Sequence, residues 1–189
     1  MGAEDPGWGD AWPALWVLIP YVGLERMRRR NAAGEVTTLR TIRQVFIGFV
    51  MMVALGGPIL LWVTLTSRNT PSMRAVEGLI LLAAVIAVAG RLLEPELSCA
   101  SEATLAASYS TRFFLRMAFA NAPVLLMFVI GTVSGATVTF AFAALFAIVG
   151  YAHAIPSAGR LTREDAALSE RGCRWSLVRS LQMRPSAST

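Results

Sequence analysis

Charged and apolar positions separate along this chain into long blocks. From Gln44 to Thr66 run 23 residues without a charge, among them Val45-Phe46-Ile47, Val50-Met51-Met52-Val53 and Ile59-Leu60-Leu61-Trp62-Val63. An ionised side chain at the centre of a lipid-facing helix costs roughly 2.5 to 3.5 kcal/mol on insertion scales, so charges mark the ends of spans. A bilayer core of about 30 Å takes about 20 helical residues, and this block predicts one crossing. Met117 to Gly159 holds 43 residues with no formal charge, enough for two. The small, polar, glycine-bracketed break Gly131-Thr132-Val133-Ser134-Gly135 near its middle predicts a fold-back, with one helix over about 113–131 and another over about 136–154. Gly78 to Gly90 has only 13 uncharged residues. Extended by Leu92 and Leu93, with the Arg91 guanidinium reaching for the headgroups, it predicts a further span over about 76–93, the other reading being a re-entrant or buried helix.

The arginines orient this set. Arg26, Arg28, Arg29, Arg30, Arg40 and Arg43 precede the first span, and Arg160, Arg163, Arg171, Arg174, Arg179 and Arg184 follow the last. Arg91, Arg112 and Arg116 flank the connection between the second and third spans, whereas only Arg68 and Arg74 lie in the first loop. Four spans with both termini inside put fifteen arginines on the cytoplasmic side and two outside, as the positive-inside rule asks. The expected fold class is therefore all-α: a polytopic bundle of four transmembrane helices over 44–155. A cytoplasmic or interfacial segment over 1–43 and a basic amphipathic tail over 156–189 flank it.

The two flanks pair tryptophan with arginine. Glu4, Asp5 and Asp10 stand where a signal peptide would be basic, and Pro13 and Pro20 interrupt the apolar stretch that follows. Trp8, Trp12 and Trp16 recur every four residues ahead of four arginines, which predicts an interfacial anchor on anionic inner-leaflet lipids. Alternatives are a cap packed under the bundle or a partner contact. In the tail, Thr162-Arg163-Glu164-Asp165 resembles a capping box, predicting a short helix through about Arg171 that Gly172 stops. Trp175, Val178 and Leu181 then fall at helical spacing among Arg174, Arg179 and Arg184, predicting a basic amphipathic surface helix with Trp175 as a further anchor.

Composition agrees with a membrane chain. Of 189 residues 55% are hydrophobic and 15% charged, and the mean hydropathy is +0.56. A soluble domain runs nearer 25% charged, and a disordered chain reverses the pattern. All 17 basic residues are arginine, a usage that suggests a GC-rich bacterial genome. The twelve carboxylates lie outside the spans or at their ends, so the mid-helix acid of a proton-driven rotor or exporter is missing. Cys99 and Cys173 carry no CxxC spacing and sit on the expected reducing side, which implies neither a disulfide nor a zinc site. No phosphate loop, GxSxG or HExxH motif is present, and no cofactor or metal is expected. The arginines are accounted for by topology rather than by nucleic acid.

Candidate chemistry gathers at the inner end of the last two spans. A hairpin about Val133 sets Arg116 level with Gly150 and Tyr151 and brings His153 close to Arg112 and Arg116. Arg91 at the end of the second span completes a cationic ring, with Glu94 or Glu96 as counter-charges. Deeper on the third helix Asn121 stands two residues before Pro123 as the most buried polar side chain expected. Arg91, Arg112, Arg116, Asn121 and His153 are the candidate contacts for lipid, partner or substrate. The plainer roles are snorkelling for the arginines and an interhelical hydrogen bond for Asn121. Ala83 and Ala87, and Ala143 and Ala147, predict close helix contacts, and Gly56-Gly57-Pro58 a kink.

The run Thr111-Arg112-Phe113-Phe114-Leu115-Arg116-Met117-Ala118-Phe119-Ala120-Asn121-Ala122-Pro123, followed by an apolar hairpin and a basic tail, resembles the second hairpin of small four-helix bacterial membrane proteins of the actinobacterial type, some loosely labelled ATP synthase c-like. The resemblance covers residues 40–155 at most and implies a fold rather than an activity. A carboxylate is expected in that family where Asn121 stands, and the departure weighs against a c-like role. The function expected from these features is binding, as an accessory or scaffolding subunit for a larger membrane complex or a lipid. A homo-oligomeric small transporter or channel is the alternative, and no catalytic motif points to an enzyme.

Overall fold

A computed structural model of the chain describes residues 7–9, 11, 37–66 and 73–183, without the side chains of 73–76 and 79. Trp12, Trp16 and the first arginine cluster lie outside the described residues, as do Arg68 and Arg184. The described residues form helices and no strand. In chain order these are α1 (Thr38–Leu65), α2 (Met73–Leu92), α3 (Glu102–Ser134), α4 (Val138–Ala154), α5 (Ala158–Glu170) and α6 (Leu177–Gln182). Two of them, α1 and α3, are long and apolar enough to cross a membrane. A third crossing arises if α4 and α5, bent by 50° at their junction, count as one broken span. The apolar part of α2 is Ile80–Leu92.

The first three helices run longer than the charge-free blocks. The third begins at Glu102 rather than near Phe113, taking Arg112 inside it, and continues to Ser134. Its turn into α4 sits at Gly135, whose φ of 73° is left-handed and suits glycine. Pro58 and Pro123 are both accommodated within helices, α1 and α3.

The chain divides into two compact units. One comprises 50–94 and 113–155, and its packing follows from small residues. A Cβ added at Gly90 would overlap Phe119, one at Gly131 would overlap Thr139, and one at Gly150 would lie 2.8 Å from the Ala120 Cβ, so these glycines let backbones approach where larger residues would hold them apart. Ala83, Ala143 and Ala147 are buried as α2 packs on α4. On α3, Phe113, Met117, Ala120, Val124 and Met127 form a buried stripe at helical period. The outward surface of this unit is as apolar as its interior, with Ile59, Trp62, Leu81, Val133 and Ile148 each more than 60% exposed. Water does not tolerate a surface of that kind, and lipid does.

The other unit comprises 1–49, 95–112 and 156–189. Leu39, Ile42, Leu105, Tyr109, Leu161, Leu168, Leu177 and Leu181 are buried in it. Arg43 is buried with them, donating to the carbonyls of Gly7 and Pro156 and lying over the Trp8 ring at 5.1 Å. Trp8 in turn meets Phe46 edge-on at 5.9 Å. The tail helices differ from the sequence expectation. The N-cap of α5 is Ser157, not Thr162, whose hydroxyl instead bonds back to Ala158 within the helix. Asp165 caps α6, accepting from the Leu177 amide at 2.6 Å and the Ser176 hydroxyl at 3.1 Å. The apolar residues Val178 and Leu181 are buried within the protein rather than lying open for a membrane surface, while Trp175 is 40% exposed in the bend before α6. Gly172, at a φ of 81°, ends α5 as expected.

A disulfide joins Cys99 to Cys173 across 74 residues of sequence, with their Cα atoms 5.6 Å apart. This corrects the reading that the cysteines imply no bridge. Their sequence separation conceals a neighbourhood made by tertiary packing: Cys99 lies in the loop before α3, and Cys173 in the turn that Asp165 ties to the start of α6.

Candidate functional site

Three helices of the first unit each turn one face toward a common cavity of about 340 Å³. From α2 come Ala84, Ala87, Val88 and Arg91, one face at spacings of three and four. From α3 come Arg116, Phe119, Ala120 and Pro123, again three and four apart. Leu145, Phe146, Val149, Gly150 and His153 line it from α4 by the same rule. The walls are apolar, and the polar groups lie on Arg91, Glu94, Arg116 and His153.

Glu94 organises that polar end. It lies just past the end of α2, and the following Pro95 disfavours helical geometry at the residue before it, which releases Glu94 from the helix. Its carboxylate takes a two-pronged grip from Arg116: Nε donates to Oε1 at 2.9 Å and Nη2 to Oε2 at 2.8 Å. His153 Nε2 lies 3.1 Å from the same Oε1. The Arg116 side chain is 4% exposed and that of Glu94 11%, so the pair is nearly dry. A planar guanidinium matches a carboxylate in this way, which lysine cannot do. The arginine therefore stays charged within the apolar unit because its counter-charge is held against it.

A second polar contact lies beside the cavity. Asn121 is buried, its Nδ2 donating to the Met117 carbonyl at 2.8 Å and its Oδ1 accepting from the Tyr151 hydroxyl at 2.6 Å. The bond ties α3 to α4.

Of the sequence candidates, then, Arg91, Arg116 and His153 gather at the cavity, with Glu94 rather than Glu96 as the counter-charge. Asn121 sits nearby with a partner of its own. Arg112 is half-buried and belongs to the other unit, as does the exposed Glu96. Tyr151 was hidden by the hairpin register: a fold about Val133 matches it to Arg116, whereas the observed turn beyond Gly135 matches it to Asn121, about one helical turn away. Arg43 gave no sign in the sequence beyond its place among flanking arginines.

No three His, Cys, Asp or Glu side chains gather as a metal site among the described residues. What the arrangement offers chemically is an apolar hollow with a neutralised ion pair at one end and a further guanidinium at its rim. Comparison with known proteins finds no family model, curated protein or solved structure that matches this chain.

Proposed function

We propose that this chain works by binding within a bacterial plasma membrane, as a small accessory or scaffolding subunit that holds a larger membrane complex or a lipid. The observation that carries this reading is the cavity between α2, α3 and α4. It is apolar, of ligand-binding size, and bounded at one end by the fixed Glu94–Arg116 ion pair. The departure from a rotor or exporter follows from the same residues: the acid that meets the third helix at the cavity is Glu94, and it is engaged by Arg116.

In this reading four helices cross. At 17 residues α4 is about 25 Å long and reaches the lower limit for a span. The second helix has 20 residues, with Arg91 in its last turn near one headgroup layer. Both termini are inside, since this keeps fifteen arginines cytoplasmic. That orientation sets Cys99 and Cys173 in a reducing compartment, where disulfides are rare and those that form are transient or redox-sensing. The bond is then reversible, open in the resting cell and closed under oxidation.

Purification of the tagged full chain from its own membrane in mild detergent tests the proposal. A polypeptide or lipid that co-purifies in fixed stoichiometry supports a binding subunit. A self-only oligomer favours the small transporter or channel instead.

A further inference from the structure

The charges around the cavity do not balance. Glu94 is held by Arg116 through two hydrogen bonds and also meets His153. Arg91 lines the same cavity, is exposed, and has no hydrogen bond or ion pair among the described residues. The cavity thus carries one uncompensated positive charge at its rim, one turn of helix from the apolar side chains of Ala87 and Val88.

We propose that the cavity holds an acyl chain of an anionic phospholipid, with its phosphate on Arg91. This rests on the binding reading above and names the ligand of that site. The apolar walls need an apolar occupant, since a polar one would lose its water without recovering hydrogen bonds. The lone guanidinium selects a negative headgroup, and its planar donors suit phosphate oxygens. A zwitterionic lipid would bring its own cation beside Arg91 and Arg116, so charge complementarity favours the anionic class. Basic pockets between membrane helices take such headgroups. The bidentate pair serves the site by keeping Arg116 neutralised, which leaves selection to Arg91. The volume of about 340 Å³ lies at the small end for ligand cavities and fits part of a chain rather than a whole lipid.

The test uses the full chain purified, stripped of lipid by detergent exchange, and offered phosphatidylglycerol and phosphatidylcholine of identical chains in equal amounts. Retained lipid is counted by native mass spectrometry. The expected result is a preference of about ten-fold for phosphatidylglycerol, because both lipids offer Arg91 a phosphate but only phosphatidylcholine brings a cation that opposes it. Arg91→Gln brings the two lipids to parity, Arg91→Lys keeps most of the preference, and Ala87→Phe, which fills the hollow, lowers retention of both. Because Arg91 is exposed, its variants keep the test valid even if Ala87→Phe fails to fold. Equal retention of the two lipids by the natural chain overturns the proposal, as does a preference that survives Arg91→Gln. Inorganic phosphate that displaces the lipid headgroup without any chain also overturns it, as does a co-purified polypeptide seated in the hollow. That last outcome leaves the wider binding reading standing. That reading falls only if the chain leaves its own membrane with neither polypeptide nor lipid.

Discussion

Arg116 and Glu94, 22 residues apart in sequence, meet as a bidentate ion pair at 2.8 and 2.9 Å with their side chains 4% and 11% exposed. Removing one partner of such a pair leaves a buried charge without its counterpart, at about 3–5 kcal/mol. Arg116→Gln and Glu94→Gln are therefore each expected to lower stability by that amount, read as a shift in the detergent-denaturant unfolding midpoint. The double variant should cost less than the two singles added together. Additive losses would mean that the two side chains act independently.

The Asn121–Tyr151 bond should be worth less. Interhelical hydrogen bonds in membranes average about 0.6 kcal/mol and reach about 1.7. Tyr151→Phe is expected within that range, since it removes the donor cleanly. Asn121→Leu should cost more, about 1–3 kcal/mol, because it removes both the acceptor of the Tyr151 hydroxyl and the donor to the Met117 carbonyl. The same unfolding measurement ranks the two, and a larger loss in Tyr151→Phe would contradict the geometry.

Glycines in the cavity wall should respond oppositely to one on an open face. At Gly150 an added Cβ meets the Ala120 backbone at 3.1 Å, and backbone cannot swing aside as a side-chain tip can. Gly150→Val is expected to destabilise by about 1–3 kcal/mol through overpacking. Gly48 is exposed and meets nothing within 4 Å, so Gly48→Ala should stabilise α1 by about 0.5–1 kcal/mol. Thermal unfolding in detergent checks both signs.

The Cys99–Cys173 bond gives a prediction about compartment as well as stability. Reduction should lower stability by about 2–4 kcal/mol, the usual worth of a closed loop. In intact unstressed cells a membrane-permeant maleimide should label both cysteines, and an impermeant one should label neither. After oxidant treatment, labelling by the permeant reagent should fall, and Cys99→Ser should abolish the accompanying change in non-reducing gel mobility. A bond that persists in unstressed cells and is reached by impermeant reductant would reverse the proposed orientation.

The all-helical fold and two apolar crossings, α1 and α3, could be read from the order of residues, because lipid punishes charge heavily, but the helix ends could not, since α3 runs on past its charges to Glu102. The three cavity faces are likewise legible, since Ala84, Ala87 and Arg91, or Phe146, Val149 and His153, follow helical spacing. What stayed hidden depended on register and on distant packing. Glycine at 135 rather than the break around Val133 sets the hairpin, and that one-turn shift decides whether Tyr151 meets Arg116 or Asn121. Asp165 looked like part of a local capping box, yet it caps a helix twelve residues further on. The tail's apolar stripes read as membrane-seeking because an amphipathic face looks alike whether lipid or another helix covers it, and in the folded chain Leu161, Leu168, Leu177 and Leu181 are covered by protein.

The most direct measurement is an experimental structure of the full chain in a bilayer containing phosphatidylglycerol, with no other ligand added. Elongated density is expected in the hollow between α2, α3 and α4, ending at Arg91, beside an intact Glu94–Arg116 pair. A hollow closed by Phe119 and Phe146, with Arg116 turned away from Glu94, would contradict that expectation.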